Sequence, residues 1–593
     1  MMRMKMQLVC AVLMACTAGF ANRAGAAAPE PASLVFTDGN IITMNASRAI
    51  AEAVAVRGNQ IVAVGTNLEV APYIGKNTKV LHLYGKTLLP GFIDAHAHPI
   101  QGAIDLAKCS ADDVVIPVAA LAAKIGKDCV AKEINAPANK WIEVVKVNPT
   151  NFIATSADLD KISSRRPVIL ESIDGHASWV NSVALKLLKI TDSTPNPAGG
   201  RIDRDAKGHA TGLLEDDAQT PALSAIPVLP LAQRVKWSVK AFDLFHAHGV
   251  TSVQDALVGP PELEVFDALL KANLLHTRVR ATLKSVIGDD EAEYRRLAGL
   301  REKYAGQALF RADAVKIYTD GVVEFPNQTA AMMEPYLDSN GNPTTNYGGR
   351  YFNEEVLNKY VTRLDRDGFT VHVHSVGDYT THASLNAFQA AWEANGPNDN
   401  RHQITHLQFV DPVDYPRFAQ YKVFANMQLY WAAPEDYSVD ATKPYINAER
   451  FLHMYPARSL KDAGAVIVGS SDWDVDATPT DLMPNTPLAA MQVGLTRKNT
   501  NPDSKYVGQV LNADEAVDLD TMLAAYTINA ARALKQEQTT GSIEVGKLAD
   551  LVVLGRNPIT SPALKLIEIP VLFTIFDGAI VFQLNPGGVS TGH

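Results

Sequence analysis

Between residues 88 and 535, short apolar runs alternate with helix-length segments, and this alternation constrains the chain more than any other feature. The runs span 88–94, 249–254, 277–283, 313–318, 370–375, 403–408, 422–427 and 465–471. Parallel strands need a crossover segment, usually a helix, so a repeating strand–helix pattern marks an α/β fold. Eight such strands are what a TIM (β/α)8 barrel requires. A ninth run, 167–172, falls in a long insertion between the first and second strands, about residues 105–235. That stretch far exceeds an ordinary βα connection. With Pro195, Pro197, Gly199 and Gly200 it is expected to form a cap over the barrel mouth.

The two ends of the chain read differently. Leu34-Val35-Phe36, Ile41-Ile42, Ala53-Val54-Ala55-Val56 and Ile61-Val62-Ala63-Val64 are separated by Asp38-Gly39-Asn40 and Arg57-Gly58-Asn59. Short apolar runs with such punctuation read as hairpin strands. Leu551-Val552-Val553-Leu554, the run 571–576 and Ile580-Val581-Phe582 do the same at the far end. Neither end has enough strands to be stable alone. Joined, 27–87 and 541–593 make one small β-sandwich beside the barrel region 88–540; two separate small sheets are the alternative.

Residues 1–26 read as a signal peptide: Arg3 and Lys5, an apolar core over 8–21, and the exit Ala24-Gly25-Ala26. The mature chain would begin near Ala27 and be exported, to the periplasm or beyond. The alternative is a lipoprotein box, Leu13-Met14-Ala15-Cys16, which would leave a lipid anchor on Cys16. No other stretch approaches the length of a membrane span. Cleavage leaves Cys109 and Cys129 as the remaining cysteines. An oxidising compartment favours pairing them, with two buried free thiols as the alternative. The formal charge of −10 becomes more negative when Arg3, Lys5 and Arg23 leave with the leader. With no long basic run, a nucleic-acid partner is not expected. Apolar residues at 47% and charged residues at 20% argue against disorder.

Barrel strands converge at their C-terminal ends, where catalytic groups collect. The first strand ends Ile93-Asp94-Ala95-His96-Ala97-His98. His96 and His98 are two apart and share a face on extended backbone, a natural two-imidazole metal grip. His372 and His374 share a face of the fifth strand, the sixth ends Thr405-His406, and the eighth ends Gly469-Ser470-Ser471-Asp472. Lys316 lies among apolar neighbours in the fourth strand. A charged lysine is costly to bury. It is either a snorkelling or ion-paired lysine, which spacing alone favours, or a carbamate whose two oxygens bridge two metals.

The set resembles the amidohydrolase superfamily, and most of all its amidohydrolase family 3 branch, which includes N-substituted formamide deformylases and, more distantly, N-acyl-D-amino-acid deacylases. The resemblance rests on Leu89-Pro90-Gly91-Phe92-Ile93-Asp94-Ala95-His96-Ala97-His98, on Asp174-Gly175-His176 and on Gly249-Val250-Thr251-Ser252-Val253-Gln254-Asp255. It continues through Val315-Lys316-Ile317-Tyr318-Thr319-Asp320-Gly321, His374-Ser375-Val376-Gly377-Asp378, 469–473 and the tail 540–554. The resemblance implies that His96 and His98 bind a first metal and His374 and His406 a second, that carboxylated Lys316 bridges them, and that Asp472 touches the first metal and shuttles the proton. Thr405 and Asp474 depart from the branch, and neither is expected to touch a ligand.

Histidine and carboxylate ligands suit zinc, with cobalt, nickel or manganese as alternatives and one ion in place of two. The expected reaction is hydrolysis of a non-peptide C–N bond in a small amide, cyclic amide or N-acyl compound by metal-bound hydroxide, with Asp472 as base and then acid. His176 is expected to hydrogen-bond the substrate or oxyanion, or else to be structural. Asp320 and Gln254 are placed at the mouth, either supporting the ligands or touching the substrate, His372 is expected to pack behind the ligands, and His246 and His248 to be structural. Lactone or ester hydrolysis, aminohydrolase chemistry, or metal binding without turnover are the competing functions.

Overall fold

The computed structural model describes residues 29–584 apart from 134–135, 151 and 479–480. The expected leader 1–26, Cys16 and the start near Ala27 lie outside the described residues. Eight parallel strands form one sheet in chain order: β1 Phe92–Ala97, β2 Val250–Val258, β3 Arg278–Lys284, β4 Phe310–Tyr318, β5 Thr370–Ser375, β6 Gln403–His406, β7 Phe424–Met427 and β8 Val466–Gly469. The last strand returns to the first. Asp472 N donates to His96 O at 2.8 Å, and Ser471 N to Asp94 Oδ1 at 3.0 Å. The architecture is a TIM barrel with an additional domain.

Helices connect successive strands, and their ends are written locally. Glu354–Arg366, between β4 and β5, starts at Asn353, whose side chain accepts from Glu355 N and Val356 N. Glu354 and Glu355 sit in its first turn and Arg363 and Arg366 in its last, matching the helix dipole. Leu357, Tyr360, Val361 and Leu364 form its buried stripe.

The first expected strand, 88–94, divides at Gly91. Thr87–Pro90 belongs to the small β-domain, antiparallel to Leu551–Leu554, and only then does β1 begin. The expected boundary at residue 88 therefore cuts through a strand. Gly91 serves as the joint because a Cβ there would lie 2.3 Å from Thr251 Oγ1. An apolar run spanning two sheets carries no mark of the crossing except this glycine.

The small domain has a four-stranded sheet from the N-terminal part and a six-stranded sheet that mixes both ends. Leu34, Phe36, Val54 and Leu88 share one buried cluster with Leu551, Val553 and Ile575. Each fully buried side chain of this kind contributes roughly 1.5–3 kcal/mol, so the two ends hold each other.

The insertion after β1 folds around a six-stranded sheet ordered Gly200–Arg204, Ala210–Asp216, Ala177–Val180, Val168–Ser172, Ile142–Val147 and Cys109–Ser110. Cys109 and Cys129 are joined by a disulfide, which ties the edge strand to the helix Val118–Asp128 that precedes Cys129.

Candidate metal centre and substrate cavity

The alternation of β1 sends Asp94 and His96 to one side, with His98 continuing that face past the strand end. Asp472 follows β8 in a left-handed backbone conformation, φ +55°, which turns its carboxylate back toward β1. His96 Nε2 and His98 Nε2 lie 3.3 and 3.0 Å from Asp472 Oδ1. These residues offer three ligand atoms within 4.8 Å of one another. Asp94 stays behind them, accepting from His96 N at 3.2 Å and from Ser471. Burial pushes its carboxyl up to about 7.

His96 is buried, and its Nδ1 faces His372 Nε2 at 2.7 Å and Thr405 Oγ1 at 3.0 Å. Thr405 thus touches a candidate ligand, contrary to the expectation from sequence. Its side chain alternates onto the barrel interior, where His96 projects across from β1. His372 packs behind His96, as expected, with Nδ1 against Gln254 Nε2 at 2.8 Å and Gln403 Oε1 at 3.1 Å. Gln254 therefore orients His372 rather than standing at the mouth. His246 bonds His276 O and Thr277 Oγ1, each at 3.0 Å, away from the site.

His374 and His406 form the second half. Their rings are 4.5 Å apart, and the His406 ring is 5.1 Å from that of His96. His374 Nε2 lies 3.0 Å from Gly321 O, and His406 Nδ1 lies 3.0 Å from Gln428 Oε1. If these nitrogens carry the protons, as their acceptors require, His374 Nδ1 and His406 Nε2 keep lone pairs. Burial holds both rings below the ordinary histidine range, His406 at about 3. Asp320 is not at the mouth. It accepts from Val376 N, Gly377 N, Ala331 N and Thr380 Oγ1 at 3.1, 2.8, 3.1 and 2.6 Å, organising the loops around His374.

Lys316 projects between the two halves. It is buried, its Nζ lies 3.4 Å from His96 Nε2, and it makes no ion pair among the described residues. Burial lowers its amine to about 7. A dehydrated amine beside the His96 imidazole and the Tyr318 ring, with no carboxylate partner among the described residues, is not the snorkelling lysine that spacing alone favours. Asp472 is held below the usual carboxylate range although burial opposes its charge, because His96, His98 and His406 face it.

His176 comes from the cap. Its ring is 5.0 Å from that of His374, and Nδ1 bonds Asp216 Oδ1 at 2.6 Å. Asp216 also accepts from Tyr351 OH. Burial opposes a charge on His176, but the bond to Asp216 and its charge raise the imidazole above the ordinary value. A cavity of about 90 Å3 lies over the centre, bounded by His176, His374, His406 and Asp472 together with Trp431, Glu435, Tyr437, Met454 and Asp476. Sequence reasoning missed Asp216, Tyr351, Gln428 and these wall residues. Asp216 ends a cap strand and the others lie in connecting segments without periodicity, and no sequence signal singled them out.

A TIM barrel whose strand ends gather histidines, a carboxylate and a buried lysine defines a metal-dependent hydrolase. The amidohydrolase family model matches residues 79–582. An N-substituted formamide deformylase from Arthrobacter pascens is 28% identical over 93% of this chain and 98% of its own length. The protein LONG AFTER FAR-RED 3 of Arabidopsis thaliana is 28% identical over 89% of this chain and 88% of its own. Among solved structures, an uncharacterized metal-dependent hydrolase from Pyrococcus horikoshii OT3 has a TM-score of 0.67 at 20% identity, covering 89% of this chain and 99% of that one. The chain belongs to the amidohydrolase family and is a hydrolase of carbon–nitrogen bonds other than peptide bonds. Among the described residues no helix is long and apolar enough to cross a membrane.

Proposed function

We propose that the protein is an exported two-metal amidohydrolase acting on a small amide, cyclic amide or N-acyl compound. His96, His98 and Asp472 would hold one ion, His374 and His406 the other, and carboxylated Lys316 would bridge, with zinc as the metal. The observation that carries this is the convergence of His96, His98 and Asp472 beside Lys316, which makes no ion pair among the described residues. Burial and the neighbouring Lys316 hold His96 well below the ordinary range, so its ring is neutral. Asp472 Oδ1 is buried and has no hydrogen-bond partner, although ring nitrogens of His96 and His98 lie 3.3 and 3.0 Å from it. A buried, orphaned carboxylate oxygen beside two imidazole nitrogens is a donor set that fits a metal. A divalent metal there supplies a Lewis acid that activates water near neutral pH and polarises a carbonyl.

The chain's own groups account for the proton. Asp472 Oδ1 faces His96 and His98, while Oδ2 lies 3.7 Å from His406. Oδ2 takes the proton of the attacking water and returns it to the leaving nitrogen. His176, held through Nδ1–H by Asp216, would donate to the substrate carbonyl oxygen through Nε2–H as the imidazolium that Asp216 favours. The formamide deformylase relative supports the C–N bond as target.

Leaderless protein replete with zinc should contain two ions per chain by elemental analysis and hydrolyse members of a panel of amides, cyclic amides and N-acyl compounds. Turnover confined to lactones or esters would overturn the C–N reading, and turnover confined to deaminase substrates would overturn the amide reading. Export is tested by N-terminal sequencing of protein recovered outside the cytoplasm: Ala27 supports it, while Met1 overturns it. A lipidated Cys16 would replace it with the lipoprotein form.

A further inference from the structure

The cap strand Ile142–Val147 carries an irregularity that points at the barrel. Its pairing with Val168–Ser172 slips between Val144 and Val147, and Lys146 takes a left-handed φ of +60°. Such bulges re-aim one side chain. Here Lys146 Nζ leaves the cap and reaches Asp474, donating to both its carboxylate Oδ2 and its main-chain O at 2.6 Å. Both side chains are 8% exposed, so this is a buried pair joining residues 328 apart in sequence.

Asp474 lies two residues beyond Asp472. The intervening Trp473 is buried, donates through N to Ser471 Oγ at 2.9 Å and through Nε1 to Leu482 O at 2.7 Å, and accepts from His98 N. The turn carrying Asp472 is thus fastened to its own loop and to β1, and from the cap by Lys146. The same bulge makes a second grip. Lys146 O accepts from Asp113 N at 2.9 Å, and Asp113 Oδ1 accepts from Tyr437 OH at 2.6 Å. Tyr437 is in the loop after β7 and Asp474 in the loop after β8, and both loops wall the cavity.

We propose that Lys146 is a positioning residue that fixes the Asp472 carboxylate from the cap, so that seating of the cap and competence of Asp472 are one event. An ion pair needs only the carboxylate of Asp474. The added bond to its main-chain oxygen pins the backbone next to a residue already held in an uncommon conformation, which is what setting Asp472 requires. The inference rests on the role given to Asp472 under Proposed function.

The test is Lys146→Met combined with Asp474→Asn in the zinc-loaded full chain. Removing both charges leaves neither member of the pair buried alone, so the variant should melt closer to the parent than either single substitution while the tie is gone. The expected result is a fall in kcat of at least about tenfold with KM nearly unchanged, and zinc affinity, read by chelator competition, about tenfold weaker, the scale of losing a group that orients a ligand. Lys146→Arg, which keeps the charge and the donors, should recover most of both. If the first pair does not fold, Lys146→Met with Asp474→Leu carries the same test as an apolar pair. Parental kcat and zinc affinity in a folded double variant would overturn the inference. Asp472→Asn is assayed alongside. If it turns over normally, the role of Asp472 fails, and the zinc affinity of the Lys146 variants then decides their effect on the site by itself.

Discussion

Replacing Lys316 separates the bridging role from a merely buried lysine, and the structure sets the size of the effect. Burial takes the amine from the ordinary 10.5 to about 7 in the metal-free chain. At about 1.36 kcal/mol per unit, that difference corresponds to a penalty of up to about 5 kcal/mol. The sign follows from proton binding. Between pH 7 and 10.5 the unfolded chain holds a proton on Lys316 that the folded metal-free chain does not, so stability rises with pH across that window. The penalty is fully present below the folded value and gone above the unfolded one. Metal-free Lys316→Met should therefore melt higher than metal-free parent near pH 7, and the two should converge toward pH 10. With metal the order reverses in function. A neutral amine is what takes up carbon dioxide, and Lys316→Ala removes the bridging oxygens, leaving four histidines and Asp472 to neutralise two dications. That variant should hold less zinc by elemental analysis and lose hydrolysis, and acetate or propionate should restore part of both. Lys316→Arg should be as inactive as Lys316→Ala, because guanidinium stays protonated. Parental zinc content in both variants, with no response to carboxylates, would refute the bridge. A metal-free Lys316→Met that melts no higher than the parent at pH 7 would refute the dehydrated amine itself.

Asp472→Asn should keep most bound zinc but lose turnover by about 10²–10⁴-fold, the usual range for a positioned acid–base group; near-parental kcat would assign the proton to another residue. Asp216→Asn should leave the fold intact and lower kcat about tenfold or more, because His176 loses the charged acceptor that fixes its ring; steady-state kinetics beside a thermal melt decides it. Cys109→Ser with Cys129→Ser should loosen the cap by about 3 kcal/mol, read as faster limited proteolysis within 105–235, whereas thiol titration of unfolded, unreduced parent should find neither cysteine free. Equal proteolysis rates would show that the disulfide adds nothing to the cap.

The parts of the molecule legible in sequence are those where backbone period and chemistry coincide. β5, Thr370–Ser375, was readable to the residue because its apolar run ends at a polar turn. His96 and His98 declared a shared face through a spacing of two. The strand at 88–94 is misleading because Leu88, Leu89, Phe92 and Ile93 look continuous while Gly91 hands the chain from one sheet to another. Thr405 was misjudged for a related reason. Its place before His406 suggests that it points away from the site, yet the Thr405 hydroxyl meets His96 from across the barrel, and only closure of the sheet puts β1 and β6 side chains together.

Asp474 shows why the remainder of the site could not be read. Alone it is an acidic residue in a loop, where a solvated carboxylate is the ordinary outcome. Its partner is 328 residues away in a cap strand, and Lys146 reaches it only because a bulge turns one side chain out of register. His176 depends in the same way on Asp216 and Tyr351, drawn from the cap and from the loop after β4. Local sequence specifies the strands and the residues at their ends. The groups that hold those residues in place are chosen by contacts between cap and barrel, and these have no period along the chain. The cavity walls contributed by Trp431, Glu435, Tyr437 and Asp476 come from the loops after β7 and β8 and have no period along the chain either.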